Sequence, residues 1–326
     1  MKKNAQKQLG KYYTITNPFS LGVFKEWFSS IPNVSDLTIL EPFAGSNNIV
    51  KLMNVGNTWE CYDIAPTTNA VPEFTIKQRD TIKDFPRGYS IGITNPPYLA
   101  KNSATRRNLL YQGDPYDDLY KKCLELMLNN LEYIAAIIPE SFITSGIFQD
   151  RLTHVISLTC KMFDDTECPV CLALFSKNKT EDFFVYRMDD SLGLYNKEFF
   201  WYKPVYSGST LWRMTDPNGE IGLIGIDTVK KRSIQFIEGE KVGNSIKTSS
   251  RNLTRISPVD IKIKNLPLFL KKCNEYLNWY RDHTEDVFLS PFKGLRTDGK
   301  YRRRLDYETA KAIMDTVILR FKQDLL

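Results

Sequence analysis

The sequence lacks the segments that would place it in a membrane or outside the cell. Across 326 residues, no apolar run approaches the roughly 18–20 residues of a membrane-spanning helix. The longest candidate, Tyr133–Pro139, has the length of a strand. The basic N-terminus is not followed by the apolar segment of a secretory signal. We therefore expect a cytoplasmic protein with no membrane partner.

Cysteine and histidine are also scarce. The six cysteines are irregularly spaced and do not form the pattern of a disulfide framework. Cys168 and Cys171 have the spacing of a zinc or redox pair, but no second pair lies nearby, and His154 and His283 are distant in sequence. We expect buried thiols, no metal, and chemistry that requires no histidine base.

The composition is that of a folded protein with one basic end. Hydrophobic residues make up 42% of the chain and charged residues 25%, which excludes extensive disorder. From Lys241 onward there are 18 Lys and Arg against 10 Asp and Glu, whereas the whole chain has a net charge of +6. Such a surface attracts a polyanion, although a solvated basic face explains the same composition.

Short apolar runs alternate with helical patterns in the first half of the chain. Asn48–Val55 and Asp117–Asn130 have helical periodicity. The runs that predict strands are Leu37–Leu40, Trp59–Ile64, Phe74–Arg79, Tyr89–Thr94, Tyr133–Ile138, Val155–Leu158 and Cys171–Phe175. This alternation predicts an α/β fold with a Rossmann-like, doubly wound sheet that binds ligands at the carboxyl ends of its strands.

After about residue 180 the pattern changes. Aromatic and β-branched runs at Phe183–Tyr186, Phe199–Val205 and Ile221–Ile226 are separated by turn signals, and helical patterns return at Leu266–Tyr280 and Tyr307–Leu326. A polar stretch precedes the change. We therefore predict two domains, residues 1–178 and residues 179–326, the second being smaller and of mixed α/β structure.

The tetrapeptide Asn95-Pro96-Pro97-Tyr98 directly follows the fourth predicted strand. Its two prolines cannot extend a sheet ladder, and they hold the segment rigid at the strand end. The Asn95 amide and the Pro96 carbonyl can each accept one N–H of an exocyclic amine, while the Tyr98 ring stacks on the planar base. The pattern indicates a pocket for an amine-bearing base, against the alternative of an ordinary Asx-Pro turn.

A small-residue loop, Glu41–Asn47, follows the first predicted strand. Gly45 lets the backbone approach a ligand or take a positive φ. Asp63 lies 22 residues after Glu41, near the spacing of a carboxylate that accepts from ribose hydroxyls. Asp80, at the end of the third strand, could accept from an adenine amine. Their serial order in one βαβ series predicts a nucleoside site.

These segments resemble the S-adenosylmethionine-dependent amino-group methyltransferases that act on adenine in DNA in bacterial restriction–modification systems. Asn95–Tyr98 matches the family's catalytic motif, (Asn/Asp)-Pro-Pro-(Tyr/Phe). Glu41–Asn47 matches its cofactor loop, (Asp/Glu)-Pro-Phe-x-Gly-x-Gly, with Asn47 at the second glycine position. Gly10–Thr14 resembles the N-terminal cofactor segment, with Ile15 in place of a proline.

The resemblance covers residues 8–176 and implies a methyltransferase sheet followed by a target-recognition domain. The order of the segments is that of the gamma class, and an Asn-led tetrapeptide favours adenine N6. The implied cofactor is S-adenosylmethionine, and the implied partners are double-stranded DNA and a cognate restriction endonuclease that acts separately. The implied cofactor-binding residues are Tyr12, Tyr13, Thr14, Glu41, Phe43, Ala44, Gly45, Asp63, Ile64, Asp80, Thr81 and Asn95.

The resemblance also implies direct methyl transfer to an adenine flipped out of the duplex, at a cost of a few kcal/mol. Oxygens placed before reaction stabilise the developing positive charge on the amine nitrogen, and no general base is required because the product ammonium is acidic. The Tyr98 and Phe163 rings would pack on the flipped base. The implied catalytic residues are Asn95, Pro96, Pro97, Tyr98 and Phe163.

Three basic segments are candidates for DNA contacts. Leu99–Asp118 has little apolar pattern and predicts a mobile loop over the active site that touches target-strand phosphates. Lys247–Arg255 and Lys293–Arg304 combine cations with hydrogen-bonding side chains. A solvated surface is the alternative for each. The predicted DNA-binding residues are Lys101, Arg106, Arg107, Lys247, Arg251, Arg255, Arg302, Arg303 and Arg304.

Two other functions remain open. Methyltransferases of RNA bases or of a protein glutamine share the same tetrapeptide, but they usually lack a long basic region after the catalytic domain. The glutamine enzymes also carry a preceding helical domain, whereas here barely 35 residues precede the first strand. A catalytically silent nucleic-acid-binding relative would be expected to lose the tetrapeptide or the acids.

Overall fold

The computed structural model describes residues 14–66, 71–164, 166–242 and 252–326. The chain divides into two compact units, Met1–Tyr195 and Asn196–Leu326. None of the helices in the described ranges combines the length and the apolar character that a bilayer span requires.

The first unit is built on one large sheet. Its strands are β1 (Ile39–Glu41), β2 (Trp59–Asp63), β3 (Ile76–Gln78), β4 (Ile91–Thr94), β5 (Tyr133–Pro139), β6 (Leu152–Ser157), β7 (Val170–Phe175), β8 (Phe184–Arg187) and β9 (Asp190–Leu194). Its helices are α1 (Gly22–Ser29), α2 (Asn48–Met53), α3 (Lys101–Arg106) and α4 (Leu119–Asn130), with 3₁₀ turns at Pro18–Ser20, Val34–Asp36 and Glu140–Thr144.

The strand order is β3-β2-β1-β4-β5-β7-β6-β8-β9. Strands β1 to β5 are parallel, and β7 runs antiparallel between β5 and β6. This order confirms the predicted Rossmann-like sheet. The chain builds β1, β2 and β3 outward in one direction and then returns to place β4 on the other side of β1, which creates a topological switch point between β1 and β4.

The centre of this sheet is continuously apolar because the strands there are buried on both faces. Ile91, Ile93 and all of Ile134–Ile138 are fully buried. Gly92 packs closely between the two isoleucines: a Cβ at that position would lie 2.6 Å from Leu131 Cδ1, so the leucine side chain would have to shift. Each strand predicted in this region exists, with ends that differ by a few residues.

The unit boundary lies at residue 195, whereas the sequence predicts it at residue 178. The difference arises because β8 joins β6 in parallel and β9 joins β8 in antiparallel fashion. The polar stretch after β7 is therefore a connection within the first sheet.

The second unit has mixed α/β structure. Its strands are β10 (Trp212–Met214), β11 (Ile221–Ile224), β12 (Gln235–Glu238), β13 (Leu253–Pro258), β14 (Ser290–Leu295) and β15 (Tyr301–Arg304). Its helices are α5 (Leu266–His283), α6 (Tyr307–Arg320) and α7 (Lys322–Leu325), with 3₁₀ turns at Phe200–Tyr202 and Gly239–Val242. The first four strands form an antiparallel sheet in the order β10-β13-β11-β12, and β14 and β15 form a hairpin. The aromatic run that begins at Phe199 starts with the 3₁₀ turn Phe200–Tyr202, which follows a π turn at Tyr195–Phe199, and it contains no strand.

A buried ionic cluster stabilises the second unit. The Arg281 guanidinium donates to both oxygens of Asp227 at 3.0 and 2.7 Å and to both oxygens of Asp286 at 2.7 and 3.0 Å. Arg296 Nη1 donates to Asp227 Oδ2 at 3.1 Å. All four side chains are buried, so the removal of one carboxylate would leave a buried guanidinium with fewer partners for its charge.

Candidate active site

A cavity of about 330 Å³ lies where β1, β2 and β4 end, at the switch point of the first sheet. This volume is within the range of small-molecule pockets, about 300–1,000 Å³. Its wall contains all the predicted cofactor-binding residues except Tyr12 and Tyr13, which lie outside the described residues. Those in the wall are Thr14, Glu41, Phe43, Ala44, Gly45, Asp63, Ile64, Asp80, Thr81 and Asn95.

The loop after β1 folds onto the end of β2. The Ala44 amide donates to the Tyr62 carbonyl at 2.8 Å, and the Gly45 amide donates to Asp63 Oδ2 at 3.0 Å. Gly45 and Asn47 have φ of 56° and 61°, so both occupy the left-handed region. Asparagine tolerates this region better than most residues, which explains how Asn47 stands at the position of a glycine.

Two carboxyl groups lie side by side in the cavity wall. Glu41 is 1% exposed, and its Oε1 accepts from the Phe43 amide at 3.0 Å and from Thr94 Oγ1 at 2.5 Å. The pKa of Glu41 is raised to about 8, chiefly by burial; these hydrogen bonds oppose the rise, and the nearby Asp63 carboxylate adds to it. Asp63 Oδ1 accepts from the Ala65 amide at 2.7 Å. Since a carboxylate oxygen has two lone pairs, each group can also accept from a ligand.

A third carboxylate, Asp80, lies in the wall beyond β3. Its Oδ2 accepts from Gln112 Nε2 at 3.3 Å and lies 3.4 Å from Lys83 Nζ. Thr81, the next residue, donates its hydroxyl to the Pro42 carbonyl at 2.9 Å. This bond ties the segment after β3 to the loop after β1, so both line the same cavity.

Asn95 brings the tetrapeptide to this cavity. Its Oδ1 accepts from the Tyr98 hydroxyl at 2.5 Å, and its Nδ2 donates to Thr14 Oγ1 at 3.3 Å. The Tyr98 hydroxyl also lies 2.6 Å from the Ile137 carbonyl oxygen, and burial raises the pKa of Tyr98 well above its usual value, so the hydroxyl stays a donor. These contacts fix the orientation of the Asn95 amide. Pro97 lines the cavity, whereas Pro96 and Tyr98 do not.

Phe163 lies against the tetrapeptide. Its ring centroid is 6.2 Å from that of Tyr98 in an edge-on arrangement, and its backbone pairs with that of Thr14. Phe163 is fully buried and Tyr98 is nearly so. Both rings must become accessible before either can stack on a base, and that stacking stays a prediction.

The cavity wall contains residues that the sequence did not single out. Asn48, Ile49, Ala65, Ile82 and Leu99 adjoin predicted residues, so their sequence positions were a usable signal. Leu110 and Gln112 come from a distant part of the segment after the tetrapeptide, and Leu119 begins α4. The sequence predicted that this segment lies over the active site, but it did not indicate which of its residues line the cavity.

The segment after the tetrapeptide is partly helical, with α3 at Lys101–Arg106, whereas the sequence predicted a mobile loop with little apolar pattern. Leu99, Ala104, Leu119 and Cys123 form a buried cluster, against which Leu109 and Tyr111 also pack. The three cations predicted to contact DNA from this segment are exposed; they are Lys101, Arg106 and Arg107. Their contact with phosphates stays a prediction.

Two of the arginines predicted to bind DNA from the second unit are buried, which corrects the prediction for them. Arg255 is 9% exposed, and its Nε donates to the Gly219 carbonyl at 2.8 Å. Arg303 is 5% exposed and adjoins the ionic cluster, since its amide donates to Asp227. Arg302 and Arg304 are half-buried. The two other predicted cations, Lys247 and Arg251, lie outside the described residues.

No protein-family model matches the chain, and no curated protein matches its sequence. Solved structures resemble the chain in part. A putative class I S-adenosylmethionine-dependent methyltransferase from Listeria monocytogenes is 10% identical over 54% of this chain and 68% of that chain, with a TM-score of 0.38. The methyltransferase subunit of a type I restriction–modification system from Streptococcus thermophilus is 15% identical over 59% of this chain and 49% of that chain, with a TM-score of 0.40.

A putative RNA methyltransferase from Pyrococcus horikoshii is 16% identical over 53% of this chain and 89% of that chain, with a TM-score of 0.38. The present chain spans about half the length of the Streptococcus thermophilus subunit. Similarity at these values identifies neither a substrate nor a cofactor.

Proposed function

We propose that this protein transfers a methyl group from S-adenosylmethionine to N6 of a flipped-out adenine in double-stranded DNA. The observation that carries the proposal is that Asn95, at the end of β4, lines the same cavity as Glu41, Asp63 and Asp80. An acceptor suited to an exocyclic amine thus adjoins a set of acceptors suited to a nucleoside.

The charge of the cavity supports this cofactor. Three carboxyl groups line it, and among the residues that the structure describes no lysine or arginine does so. A dinucleotide brings phosphates, which need cations or a helix N-terminus as partners. S-adenosylmethionine instead carries a sulfonium and an ammonium, which favour an acidic wall. In this assignment Asp63 accepts from the ribose hydroxyls and Asp80 accepts from the adenine amine.

The chemistry requires the chain to orient one amine. The bound cofactor would supply a methyl group on a positively charged sulfur. Asn95 Oδ1 has a second lone pair besides the one that accepts from Tyr98, so it can accept an N–H of the target amine. The Pro96 carbonyl is the second acceptor, provided that the tetrapeptide moves enough to present it. The two oxygens stabilise the positive charge that develops on the amine nitrogen, and its proton passes to water afterwards.

Basic side chains near the site support a nucleic-acid substrate. Lys101, Arg106 and Arg107 follow the tetrapeptide closely and are exposed, as phosphate contacts require. The second unit contains most of the chain's excess positive charge and would serve as the target-recognition domain. We further propose that the protein protects host DNA within a restriction–modification system, with a cognate endonuclease acting separately.

The alternative is a methyltransferase of an RNA base or of a protein glutamine, since the same amide can orient those amines. Tritiated methyl transfer to duplex DNA, RNA and protein in parallel separates these functions, with Asn95→Ala as the inactive control. We expect label in DNA alone. Single-molecule sequencing of DNA from expressing cells should then show N6-methyladenine at one sequence. Label only in RNA or protein would replace the proposed substrate, and no label in any of them would contradict the activity.

A further inference from the structure

Residues 99–119 run from the tetrapeptide to the first residue of α4 and form a loop whose two ends lie together. We call this loop the excursion. Its two ends pair, since the Lys101 amide donates to the Asp117 carbonyl at 2.8 Å and the Leu119 amide donates to the Leu99 carbonyl at 3.1 Å. Its inner face packs into the small apolar cluster around Ala104. The hydrogen bonds between its two ends and the apolar packing of its inner face therefore hold the excursion in place.

The excursion brings Gln112 into the cavity wall. The turn at this point is tightly packed: a Cβ at Gly113 would lie 2.3 Å from the Tyr111 hydroxyl oxygen, and that hydroxyl donates to the Tyr116 carbonyl at 2.8 Å. Gln112 Nε2 donates one hydrogen to Asp80 Oδ2 at 3.3 Å. An acceptor and a donor from different segments therefore lie next to each other at one end of the cavity.

This pair matches one edge of adenine. Adenine presents the N6 amine as a donor and, beside it, N1 as an acceptor. Asp80 can only accept when ionised, and the amide nitrogen of Gln112 carries a second hydrogen to donate. Hypoxanthine and guanine present the reverse pattern, an acceptor at O6 and a donor at N1. Their O6 would face the acceptor Asp80, and their N1–H would face the donor Gln112.

We infer that Gln112 is a specificity-determining residue of the cofactor site and donates to N1 of the cofactor's adenine while Asp80 accepts from its N6 amine. This inference rests on the proposed function. It assigns a contact to a residue 32 positions away from Asp80 in sequence. The competing donor at this place is the backbone amide of Thr81, which also lines the cavity.

The test measures binding of S-adenosylhomocysteine and of its 1-deaza analogue, in which N1 is replaced by C–H, by titration calorimetry. The wild-type protein should bind the 1-deaza compound roughly fivefold to tenfold more weakly, the effect of one hydrogen bond. Gln112→Ala should bind both compounds with the same, weakened affinity. Gln112→Glu, which keeps the size but replaces the donor by an acceptor, should bind the parent compound more weakly still. Asn102→Ala, an exposed position on α3, is the matched control and should behave as wild type.

The outcomes separate this inference from the function on which it rests. If Gln112→Ala still discriminates between the two compounds as wild type does, N1 is bound by another donor and the inference is overturned. The same follows if wild type binds both compounds equally. If wild type binds neither compound, the proposed cofactor itself is wrong.

Discussion

The buried carboxyl of Glu41 should make cofactor binding depend on pH. Because its pKa is about 8 in the ligand-free protein, roughly nine-tenths of the molecules hold the proton at pH 7. The groups that face it do not neutralise it: Asp63 is another acid, and burial keeps the Cys61 thiol protonated by raising its pKa. S-adenosylmethionine carries a sulfonium, an ammonium and one carboxylate, so its charge is net positive and favours the ionised form of Glu41. Binding should therefore displace the proton from Glu41.

The size of the effect follows from this pKa. Well below pH 8, each unit of acidification lowers the ionised fraction about tenfold, so the affinity for S-adenosylmethionine should fall about tenfold from pH 7 to pH 6. An α-amino group titrates at about 7.7–8.0, so measurements between pH 5.5 and 7 avoid titration of the ligand. Calorimetry should show a slope of log affinity against pH near 1 for wild type and near 0 for Glu41→Gln.

The stability of the ligand-free protein provides an independent measurement, and it should change with pH in the opposite direction from the affinity. Between the ordinary glutamate pKa and about 8, folded molecules hold a proton that unfolded chains have lost, so the free energy of unfolding should decrease as pH rises through this range. Glu41→Gln should remove that decrease. A flat affinity profile in wild type, or the same slope in Glu41→Gln, would refute the assignment of the titrating group to Glu41.

Four further outcomes are expected. Asp63→Ala should lower the affinity for S-adenosylmethionine about tenfold or more, as measured by calorimetry. The substitution removes both the proposed ribose acceptor and the partner of the loop amide, and charge-assisted hydrogen bonds are worth about 1.5–3 kcal/mol. Asn95→Ala should retain less than a tenth of wild-type turnover in a single-turnover assay, because it removes the amide that orients the target amine. Neutralising Arg106 and Arg107 together should lower the slope of log K against log salt by up to about 1.8 on any duplex, as fluorescence anisotropy would show. Asp227→Asn should destabilise the second unit by about 3–5 kcal/mol in urea denaturation, since Arg281 and Arg296, both buried, each lose one of their carboxylate partners. A change under about 1 kcal/mol would contradict the role of the cluster.

Local patterns in the sequence were sufficient for the sheet and for much of the site. The central strands of the first unit are buried on both faces, so a short apolar run in the sequence indicated each of them. In a parallel sheet the carboxyl ends of the strands meet at one edge. Residues directly after those runs, such as Glu41, Asp63 and Asn95, therefore had to approach one another.

Local patterns could not predict which charged residues are buried and which are exposed. Arg303 and its neighbour Arg302 belong to the same basic run, yet Arg303 is buried beside a cluster that includes Asp227, from the segment after β11, and Arg281, from α5. Composition reports a charge but not the partners that the fold brings to it. The unit boundary was misplaced for a related reason, since β8 and β9 follow a polar stretch and join the first sheet through β6.

The sequence by itself determined the fold class and the order of the site's segments, because both depend on the identity of residues at successive strand ends. Only the tertiary structure decided that Gln112 lies beside Asp80, that the Tyr98 hydroxyl orients Asn95, and that burial raises the pKa of Glu41. Each of these depends on contacts between residues distant in the chain or on the loss of water around a side chain. The local pattern of residues reveals neither these long-range contacts nor the loss of water.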